Sequence, residues 1–439
     1  MAERMTGVDA AWLHMDRREN TADVVAMMTF EDRIEPKAVQ RMVEEKLLSH
    51  ARFRQRVVPE GPLGLASWED DPAFALPRHF ERRTLSRGGT RALQAFTSAV
   101  ATERLDPARP LWKVFHVDGF GAGSAIVTKL HHCMADGFAL VGILLSLADE
   151  LAREEGSPVP HRMPAFQDLR PAGDLGQIVK QALLDPAHAL DLAGRGAAFA
   201  RSLGRMALLP PDPETVLRRP LTGRRKTAFS KPLPLGALRV RARELHVTVN
   251  DLLVAALTGA LRTYLAAAGE QVDASDIRAL VPVNLRDRLP GQLDGAMGNC
   301  FGLVFLELPI RAATAEERLA RVRERMEALK RSPDAIVSYA VLEAIGHLPG
   351  ALEFVVTEFF TRKASLVLTN VPGPRTRLHL AGHEIDRVMF NVPHPASLGL
   401  GLSILSYAGE VRIGARADVA AMPDPASFVG TFGAEVAAL

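Results

Sequence analysis

Helical and strand-like patterns alternate along almost the whole chain, and this alternation limits the folds open to it more than any other feature. Residues 36–50 place apolar side chains on one face of a helix. Residues 112–132 contain two strand-like runs, WKVFHVD and AIVTKLHH, around the glycine-rich turn GFGAGS, a pattern typical of a β-hairpin. The alternation predicts an α/β or α+β protein in which helices pack on mixed sheets.

The second half of the chain continues the alternation. Helical patterns cover residues 249–268 and 315–330. Thr314 is a natural N-cap for the second of these helices, and Glu317 stands where a capping box needs a carboxylate. Strand-like runs occur at ALVPVN, CFGLVFLELP, ASLVLTNV, LGLGLSILSY and EVRIGARAD. Short Gly and Pro turns among them predict a second mixed sheet.

The middle of the chain differs in composition from both halves. It is rich in proline, alanine and arginine, and it fits one or two amphipathic helices broken at Pro186. Since 439 residues suffice for two domains of ordinary size, we expect a domain at 1–160, a crossover linker at 161–234 and a second domain at 235–439. A cluster of cations near the end of the linker comprises Arg218, Arg219, Arg224, Arg225 and Lys226. The cluster fits a solvated linker or a site for phosphates or anionic lipid headgroups.

Composition argues against several classes of protein. A formal net charge of +2 at pH 7 gives no reason to expect a nucleic-acid binder. Two cysteines, Cys133 and Cys300, cannot form a disulfide framework, so we expect a reducing compartment and two small buried thiols. The longest mostly apolar run, 138–148, is far shorter than the ~20 residues of a spanning helix. The first residues lack the apolar region of a signal peptide. We therefore expect a cytoplasmic protein, soluble or peripheral on a membrane.

The stretch LHHCMADGF at residues 130–138 combines two histidines, a thiol and a carboxylate. A metal site is one interpretation, but adjacent histidines at a strand end point to opposite faces. No second Cys/His pair is placed to complete a ligand set, so we expect no metal. A structural corner is a second interpretation, with Asp136 and Gly137 as turn or N-cap residues before a helix.

Proton transfer is the third interpretation of this stretch. His132 shares a strand face with Leu130 and Ile126, whereas His131 lies on the other face. One histidine can therefore project into a solvent channel while the other anchors the strand. An imidazole with a pKa near ~6.5 suits general-base catalysis at neutral pH. No G-x-S-x-G nucleophile is present, and a lone base fits direct attack by an alcohol or amine on an activated acyl group such as a thioester.

The motif HHxxxDG at residues 131–137 resembles that of the CoA-dependent acyltransferase superfamily, which includes chloramphenicol acetyltransferase and peptide-synthetase condensation domains. Other segments are similar to the bacterial wax ester synthase/diacylglycerol acyltransferases. In family order they are MTGVDAAWLHMD, LDPARPLW, VNDLLVAAL, VPVNLRDR with MGNCFG, LTNVPGP and LSYAGEVRIGARAD. The resemblance therefore spans nearly the whole chain.

The resemblance implies two chloramphenicol-acetyltransferase-like domains with an active-site tunnel at their interface. His132 would be the general base that takes the proton of an acceptor hydroxyl as it attacks the acyl-CoA thioester. His131 would support it, and Gly137 would allow close backbone approach. Asp136 would fix the loop, with Arg286 as its candidate partner. Acyl-CoA would be a co-substrate, and no bound cofactor or metal would be needed.

Five more residues of the resembling motifs have two interpretations each. Asn250 and Asp251 resemble a functional pair of the family, and they also fit the start of a helix, where a carboxylate favours the helix dipole. Asn284, Asn299 and Asn370 could donate hydrogen bonds to CoA or to an oxyanion. They could equally be turn-forming asparagines next to Gly and Pro.

The favoured function is acyl-CoA-dependent O-acylation of diacylglycerol or of a long-chain fatty alcohol, giving triacylglycerol or wax ester. Two alternatives stay open. One is an acyltransferase for a polyketide or glycolipid alcohol that takes its acyl group from a carrier protein, and the other is a non-catalytic lipid-binding protein. The amphipathic helices of the linker leave peripheral contact with the inner membrane face or with lipid inclusions open, since interdomain packing explains the same pattern.

Overall fold

The computed structural model describes residues 3–60, 65–86, 88–149, 186–286 and 298–439. The first predicted linker helix lies outside these residues. The strands are β1 (Glu3–Arg4), β2 (Asp23–Phe30), β3 (Gln55–Glu60), β4 (Leu65–Asp70), β5 (Phe80–Thr84), β6 (Trp112–Phe120), β7 (Gly123–His131), β8 (Arg225–Phe229), β9 (Leu233–Pro234), β10 (Ile277–Asn284), β11 (Phe301–Leu308), β12 (Leu366–Pro372), β13 (His379–Leu380), β14 (His383–Glu384), β15 (Arg387–Asn391), β16 (Leu400–Tyr407) and β17 (Glu410–Asp418). The α-helices are α1 (Gly7–His14), α2 (Pro36–Met42), α3 (Thr90–Thr102), α4 (Gly137–Leu147), α5 (Pro186–Leu208), α6 (Leu235–Glu244), α7 (Val249–Ala267), α8 (Ala315–Arg331), α9 (Asp334–Ile345), α10 (Gly350–Thr361) and α11 (Pro425–Ala437).

The first large sheet has the strand order β15–β2–β7–β6–β5. Strands β6 and β7 form the expected antiparallel hairpin, with Trp112 opposite Leu130 and Phe120 opposite Gly123. Strand β2 pairs with β7 on its other side, whereas β5 runs parallel to β6. The central strand β7 therefore carries the histidine motif to its C-terminal end with neighbours on both sides.

The two faces of the first sheet bury different cores. Ile126 and Leu130 of β7 belong to the core that α2 and α4 also enter. Val127 projects to the opposite face, where it packs with Leu93 and Val100 of α3. This alternation assigns consecutive residues at the end of β7 to opposite sides of the sheet.

The second large sheet has the order β11–β10–β12–β16–β17–β8, with β9 paired to β17. Strands β10, β12 and β16 are parallel, and the remaining pairs are antiparallel. Helices α7, α8 and α11 cover one face. Leu280, Phe301 and Val367 on the other face share a core with the first sheet. The mixed sheets with packed helices confirm the predicted fold class.

Two predicted helices occur where the sequence placed them. Helix α7 ends one residue before its predicted end at 268, and α8 ends one residue after its predicted end at 330. Thr314 accepts a hydrogen bond from the backbone N–H of Glu317 at 3.2 Å, so it is the N-cap of α8 as expected.

Strands from the middle and from the C-terminal half of the chain complete the two large sheets. Strand β8 lies within the stretch expected to be linker, yet it pairs with β17. Its first residue, Arg225, is buried and donates a hydrogen bond to the carbonyl of Glu19 at 2.8 Å. A strand with a buried cation thus stands where the absence of an apolar period predicted a linker. Strand β15 comes from the C-terminal half and completes the first sheet beside β2.

Members of the cation cluster donate to backbone carbonyls in the described structure. Arg218 donates to the carbonyls of Arg362 and Ala364, both at 2.7 Å. Lys226 donates to the carbonyl of Pro423 at 2.8 Å. These cations stabilise backbone carbonyls in different parts of the fold.

A contact between two glycines fixes helix α1. A Cβ on Gly7 would lie 2.0 Å from the carbonyl oxygen of Glu343, and one on Gly346 would lie 1.7 Å from the carbonyl oxygen of Gly7. The Glu343 carboxylate accepts from the backbone N–H groups of Gly7 and Val8, both at 3.0 Å. It therefore caps α1 from α9 and sets the position of the residues that α1 presents to its neighbours.

In the portion of the chain that the structure describes, every helix is too short or too polar to span a lipid bilayer.

Candidate active site

The HHxxxDG motif forms the corner between β7 and α4. Strand β7 ends at His131, and α4 begins at Gly137. The backbone N–H of His132 still donates to the carbonyl of Ala22 at 2.8 Å, which continues the pairing with the segment before β2. The two histidines are therefore held by a sheet rather than by an open loop.

His131 lies on the face of the sheet that packs against α3. The ring is buried, and its Nδ1 accepts a hydrogen bond from the backbone N–H of Cys133 at 3.2 Å. Burial lowers the pKa of the imidazole, although the nearby carboxylates of Asp23 and Asp16 raise it. Lys129, on the same face, forms a buried ion pair with Asp23 at 3.0 Å. His131 therefore belongs to a buried polar cluster behind the motif.

The ring of His132 lies between two aromatic side chains. It stacks on Trp12 at 4.0 Å between centroids, with 16° between the planes, and meets the edge of Phe301 at 5.6 Å. The residue keeps 8% of its exposure, against 0% for the adjacent Cys133. Burial lowers the pKa of His132 to about 4, because it penalises the imidazolium more than the Asp136 carboxylate favours it. The imidazole is neutral at neutral pH and can accept a proton.

Asn299 ties the backbone of His132 to α1. Its Nδ2 donates to the carbonyl of His132 at 2.7 Å and to Oδ1 of Asp9 at 2.8 Å. The backbone N–H of Asn299 donates to the same Asp9 oxygen at 3.0 Å. Burial raises the pKa of Asp9 to about 6. Both amide hydrogens of Asn299 are engaged, so donation to CoA or an oxyanion would require one of these bonds to break.

Asp136 joins the motif to the second sheet. Its Oδ2 accepts from Nη1 of Arg286 at 2.6 Å and from the backbone N–H of Cys300 at 2.9 Å. Its Oδ1 accepts from the backbone N–H of Ala139 at 2.9 Å, in the first turn of α4. Arg286 also donates to the carbonyl of Gly298 at 2.7 Å. The carboxylate therefore fixes the corner and the segment before β11 together.

Gly137 allows a close approach between α4 and β12. A Cβ at this position would lie 3.2 Å from Cγ2 of Val371. The glycine also borders an apolar cavity, so any larger side chain would crowd the neighbouring strand and narrow that space.

Asn250 and Asp251 begin α7 and have separate roles there. Asp251 completes a capping box, since it accepts from the backbone N–H of Thr248 at 3.0 Å while its own N–H donates to Oγ1 of Thr248 at 3.1 Å. Asn250 accepts from Nδ2 of Asn370 at 2.7 Å, which links α7 to β12. The Asp251 bonds lie within the start of α7, and the Asn250 bond joins α7 to β12. None of these hydrogen bonds involves His132.

Asn284 ends β10 beside the ion pair. Its Oδ1 accepts from the backbone N–H of Arg286 at 3.1 Å. This two-residue turn supports the arginine that pairs with Asp136. Among the described residues, no three His, Cys, Asp or Glu side chains converge in a way that would bind a metal ion.

Three residues at the site were not singled out by the sequence pattern. Trp12 and Asp9 are three positions apart on α1, so they share a helical face, and that face meets His132 and Asn299. Phe301 completes the aromatic enclosure of the ring. The available signal was the helical spacing of Asp9 and Trp12 within MTGVDAAWLHMD.

An apolar cavity lies on the His132 face of the first sheet. Its empty volume is about 1060 Å³, open solvent at its mouth included. The lining side chains come from β2, β7, α4 and β15: Val24, Ala26, Met28, Ile126, Thr128, Leu130, Leu140, Val141, Val388 and Phe390. A cavity lined mostly by hydrocarbon suits an apolar ligand.

A two-domain mixed fold with HHxxxDG at a sheet corner is the arrangement that the sequence resemblance implied for an acyltransferase. Residues 5–253 match the family model of the wax ester synthase/diacylglycerol acyltransferase catalytic domain, and residues 297–439 match that of the WS/DGAT C-terminal domain. The chain belongs to the wax ester synthase/diacylglycerol acyltransferase family and is an acyltransferase.

Individual relatives agree with this assignment. A Mycobacterium tuberculosis H37Rv protein named as a probable diacylglycerol O-acyltransferase, tgs1, is 29% identical over 389 residues, covering 87% of this chain and 82% of the relative. The solved wax ester synthase/diacylglycerol acyltransferase from Marinobacter aquaeolei VT8 matches with a TM-score of 0.71 and 22% identity, covering 99% and 98% of the two chains. The first condensation domain of the calcium-dependent antibiotic synthetase matches with a TM-score of 0.62 and 14% identity, covering 100% and 97%. These structures share the two-domain fold.

Replacing Arg286 by Met should destabilise the protein by about 2–4 kcal/mol, because a buried carboxylate that loses its cation keeps its desolvation penalty. Urea unfolding followed by circular dichroism measures the change. The matched control is Arg321→Met, which removes an exposed partner of Glu317 at 2.6 Å. That variant should change stability by less than about 0.5 kcal/mol. Equal effects of the two substitutions would contradict the role given to Arg286.

Proposed function

We propose that the chain transfers an acyl group from acyl-CoA to the hydroxyl of diacylglycerol or of a long-chain fatty alcohol, making triacylglycerol or wax ester. The observation that carries the proposal is the neutral His132 ring, held between Trp12 and Phe301 at the end of the strand face that lines the apolar cavity. The names of the M. tuberculosis and M. aquaeolei relatives support these acceptors.

The reaction needs one base. Neutral His132 takes the proton of the acceptor hydroxyl as its oxygen attacks the thioester carbonyl carbon. The C–O bond forms, and the tetrahedral intermediate then collapses with cleavage of the C–S bond. The CoA thiolate leaves and takes the proton from the imidazolium, which restores the base. Because the thiolate is a good leaving group, the step requires no bound metal or cofactor.

The neighbours of His132 act on its position. Asn299 holds its carbonyl through the bridge to Asp9, and Asp136 fixes the corner after it. These residues, with His131 behind the strand, are positioning residues in the proposal. Each costs little reorganisation during the reaction because its hydrogen bonds already exist in the folded protein.

The linked asparagines and the turn before Arg286 shape the approach to the base. Asn370 is exposed and joins Asn250 at 2.7 Å, so the pair stands where a polar part of CoA or of the acceptor can contact it. Asn284 and Asp251 contribute through the backbone that they hold. In the proposal, both substrates reach His132 through a tunnel at the interface of the two domains.

The fatty chain of the donor occupies the apolar cavity. The cavity faces the same side of β7 as His132, and Gly137 borders it. Burying methylene groups there stabilises the bound chain by about 0.8 kcal/mol for each group. The product is apolar too, which suits a cytoplasmic enzyme that works against a membrane or lipid inclusion.

The decisive test uses purified protein, palmitoyl-CoA and either diacylglycerol or hexadecanol. CoA release should accompany ester formation with at least one acceptor. His132→Ala should lower turnover about 10²–10⁴-fold in a protein that is still folded by circular dichroism at the assay temperature, because the general base is gone. The control is His383→Ala, which removes a histidine that faces Asp32 at 3.7 Å. Transfer only from an acyl carrier protein, or lipid binding without transfer, would contradict the proposal.

Activity should resist mild acid. The pKa of His132 lies at about 4, below the ordinary 6.5, so the base stays neutral as the pH falls from 8 to about 5.5. Between pH 6.5 and about 4, His132 binds a proton in the unfolded chain but not in the folded protein. The free energy of unfolding therefore decreases through His132 as the pH falls over this range, and His132 has no such effect above pH 6.5. The measurement is kcat/KM against pH. A tenfold decrease in kcat/KM for each pH unit below 6.5 would contradict the low pKa of His132. A decrease near pH 6 that disappears in the Asp9→Asn variant would instead show that Asp9 is the titrating group.

Filling the cavity should change chain-length preference. Ala26→Leu adds bulk beside Thr128, its partner across the strands. We expect kcat/KM for palmitoyl-CoA to fall about tenfold or more while that for butyryl-CoA changes less than about twofold. Thr128→Val, which keeps the volume of the same cavity, should leave the profile unchanged. Equal losses for both donors, or no loss, would show that the chain binds elsewhere.

A further inference from the structure

Helix α10 has its polar side turned inward and its apolar side turned outward. Its buried residues are Glu353, Thr357 and Thr361. Leu352, Val355 and Phe359 form a stripe at three- and four-residue spacing and are 56%, 62% and 47% exposed. A helix on the surface of a globular protein ordinarily buries its apolar stripe. The reversed orientation therefore needs a separate explanation.

A specific contact holds α10 in this orientation. Oε2 of the buried Glu353 lies 2.5 Å from Nδ1 of His14, at the end of α1. The apolar side chains on the opposite side of α10 cannot form an ion pair or a hydrogen bond with His14. The helix therefore presents its apolar side outward because its polar side is engaged by α1.

The apolar stripe continues onto neighbouring segments. Lys363 donates to the carbonyls of Ala207 and Leu209 at 2.7 and 2.6 Å, which places the end of α5 beside the end of α10. Leu208, between those two carbonyls, is 85% exposed. We define the outer apolar surface by Leu208, Leu352, Phe354, Val355 and Phe359. Large exposed apolar side chains grouped on one helix and at its end are typical of an interaction site.

Cations border the outer apolar surface. The guanidinium of Arg17 lies 3.9 Å from the ring centroid of Phe354, and the Lys363 ammonium lies 4.1 Å from that of Phe359. Arg362, the C-cap residue that follows α10, is exposed. The two acids of α10 are engaged, since Glu353 meets His14 and Glu358 lies 3.8 Å from Arg362. Large apolar side chains bordered by cations are the features that bind anionic lipid surfaces.

The surface lies one helix away from the catalytic ring. Helix α10 contacts α1 through Glu353 and His14, and α1 carries Trp12, which stacks on His132. A bilayer on the outer apolar surface would hold the enzyme beside the phase in which a water-insoluble acceptor is dissolved.

We infer that the outer apolar surface binds the protein to an anionic phospholipid bilayer, with the side chains of Leu352, Val355 and Phe359 among the lipid headgroups and the guanidinium groups of Arg17 and Arg362 on the phosphates. Delivery of the acceptor rests on the proposed function. Lipid binding itself does not, because the surface is separate from the reacting groups.

The test is cosedimentation of the full chain with vesicles, in the absence of acyl-CoA. Vesicles of phosphatidylglycerol and phosphatidylcholine should bind the protein, and pure phosphatidylcholine vesicles should bind it more weakly. The triple variant Leu352→Asn, Val355→Asn, Phe359→Asn should bind the anionic vesicles about tenfold or more weakly. Val240→Asn is the matched control, since Val240 is a solitary 47% exposed apolar residue on α6. It should leave binding unchanged.

Activity on a dispersed short-chain alcohol separates the two proposals. The triple variant should keep this activity and lose rate only when the acceptor is embedded in anionic vesicles. Absence of vesicle binding by the unaltered protein would overturn the inference, as would equal binding by the triple variant. Self-association that the triple variant abolishes, without vesicle binding, would assign the surface to a second copy of the chain and also overturn it. None of these binding results depends on whether His132 is catalytic.

Discussion

The carboxylate of Asp136 is the contact on which the rest of the site depends. It accepts from the first turn of α4 on one oxygen, and from Arg286 and the backbone of Cys300 on the other. One side chain thereby joins the HHxxxDG corner of the first sheet to the segment that precedes β11 of the second. The ion pair between Asp136 and Arg286 therefore fixes both the position of the corner and the position of one domain relative to the other.

A second tie works from the other side. Asn299, one residue before Cys300, holds the carbonyl of His132 and the carboxylate of Asp9. Asp9 and Trp12 share the inner face of α1, so this helix supplies both a hydrogen-bonded anchor and an aromatic surface for the imidazole. The ring is thus fixed by three segments far apart in the chain. Such fixation favours a base that acts without reorganisation.

Helix α1 also links the chemistry to the outside of the molecule. Its end contacts α10 through His14 and Glu353, and α10 carries the outer apolar surface. The apolar cavity lies on the other side of the motif, against the His132 face of β7. The proposed reaction joins two apolar substrates, and this arrangement offers apolar surfaces both on α10 and along β7.

The sequence alone determined whatever depends on local periodicity: the α/β class, the Thr314 N-cap, the hairpin that ends in the motif, and the opposite faces of His131 and His132. It also suggested Arg286 as the partner of Asp136, and the two side chains meet at 2.6 Å. Only the tertiary structure decided that β8 pairs with β17 and β15 with β2, and that both amide hydrogens of Asn299 are bonded within the protein. It also decided that the apolar side of α10 faces outward. The physical reason is distance along the chain. Asp9 and Asn299 are 290 positions apart, and periodicity distinguishes the two faces of a helix without specifying which one meets a partner.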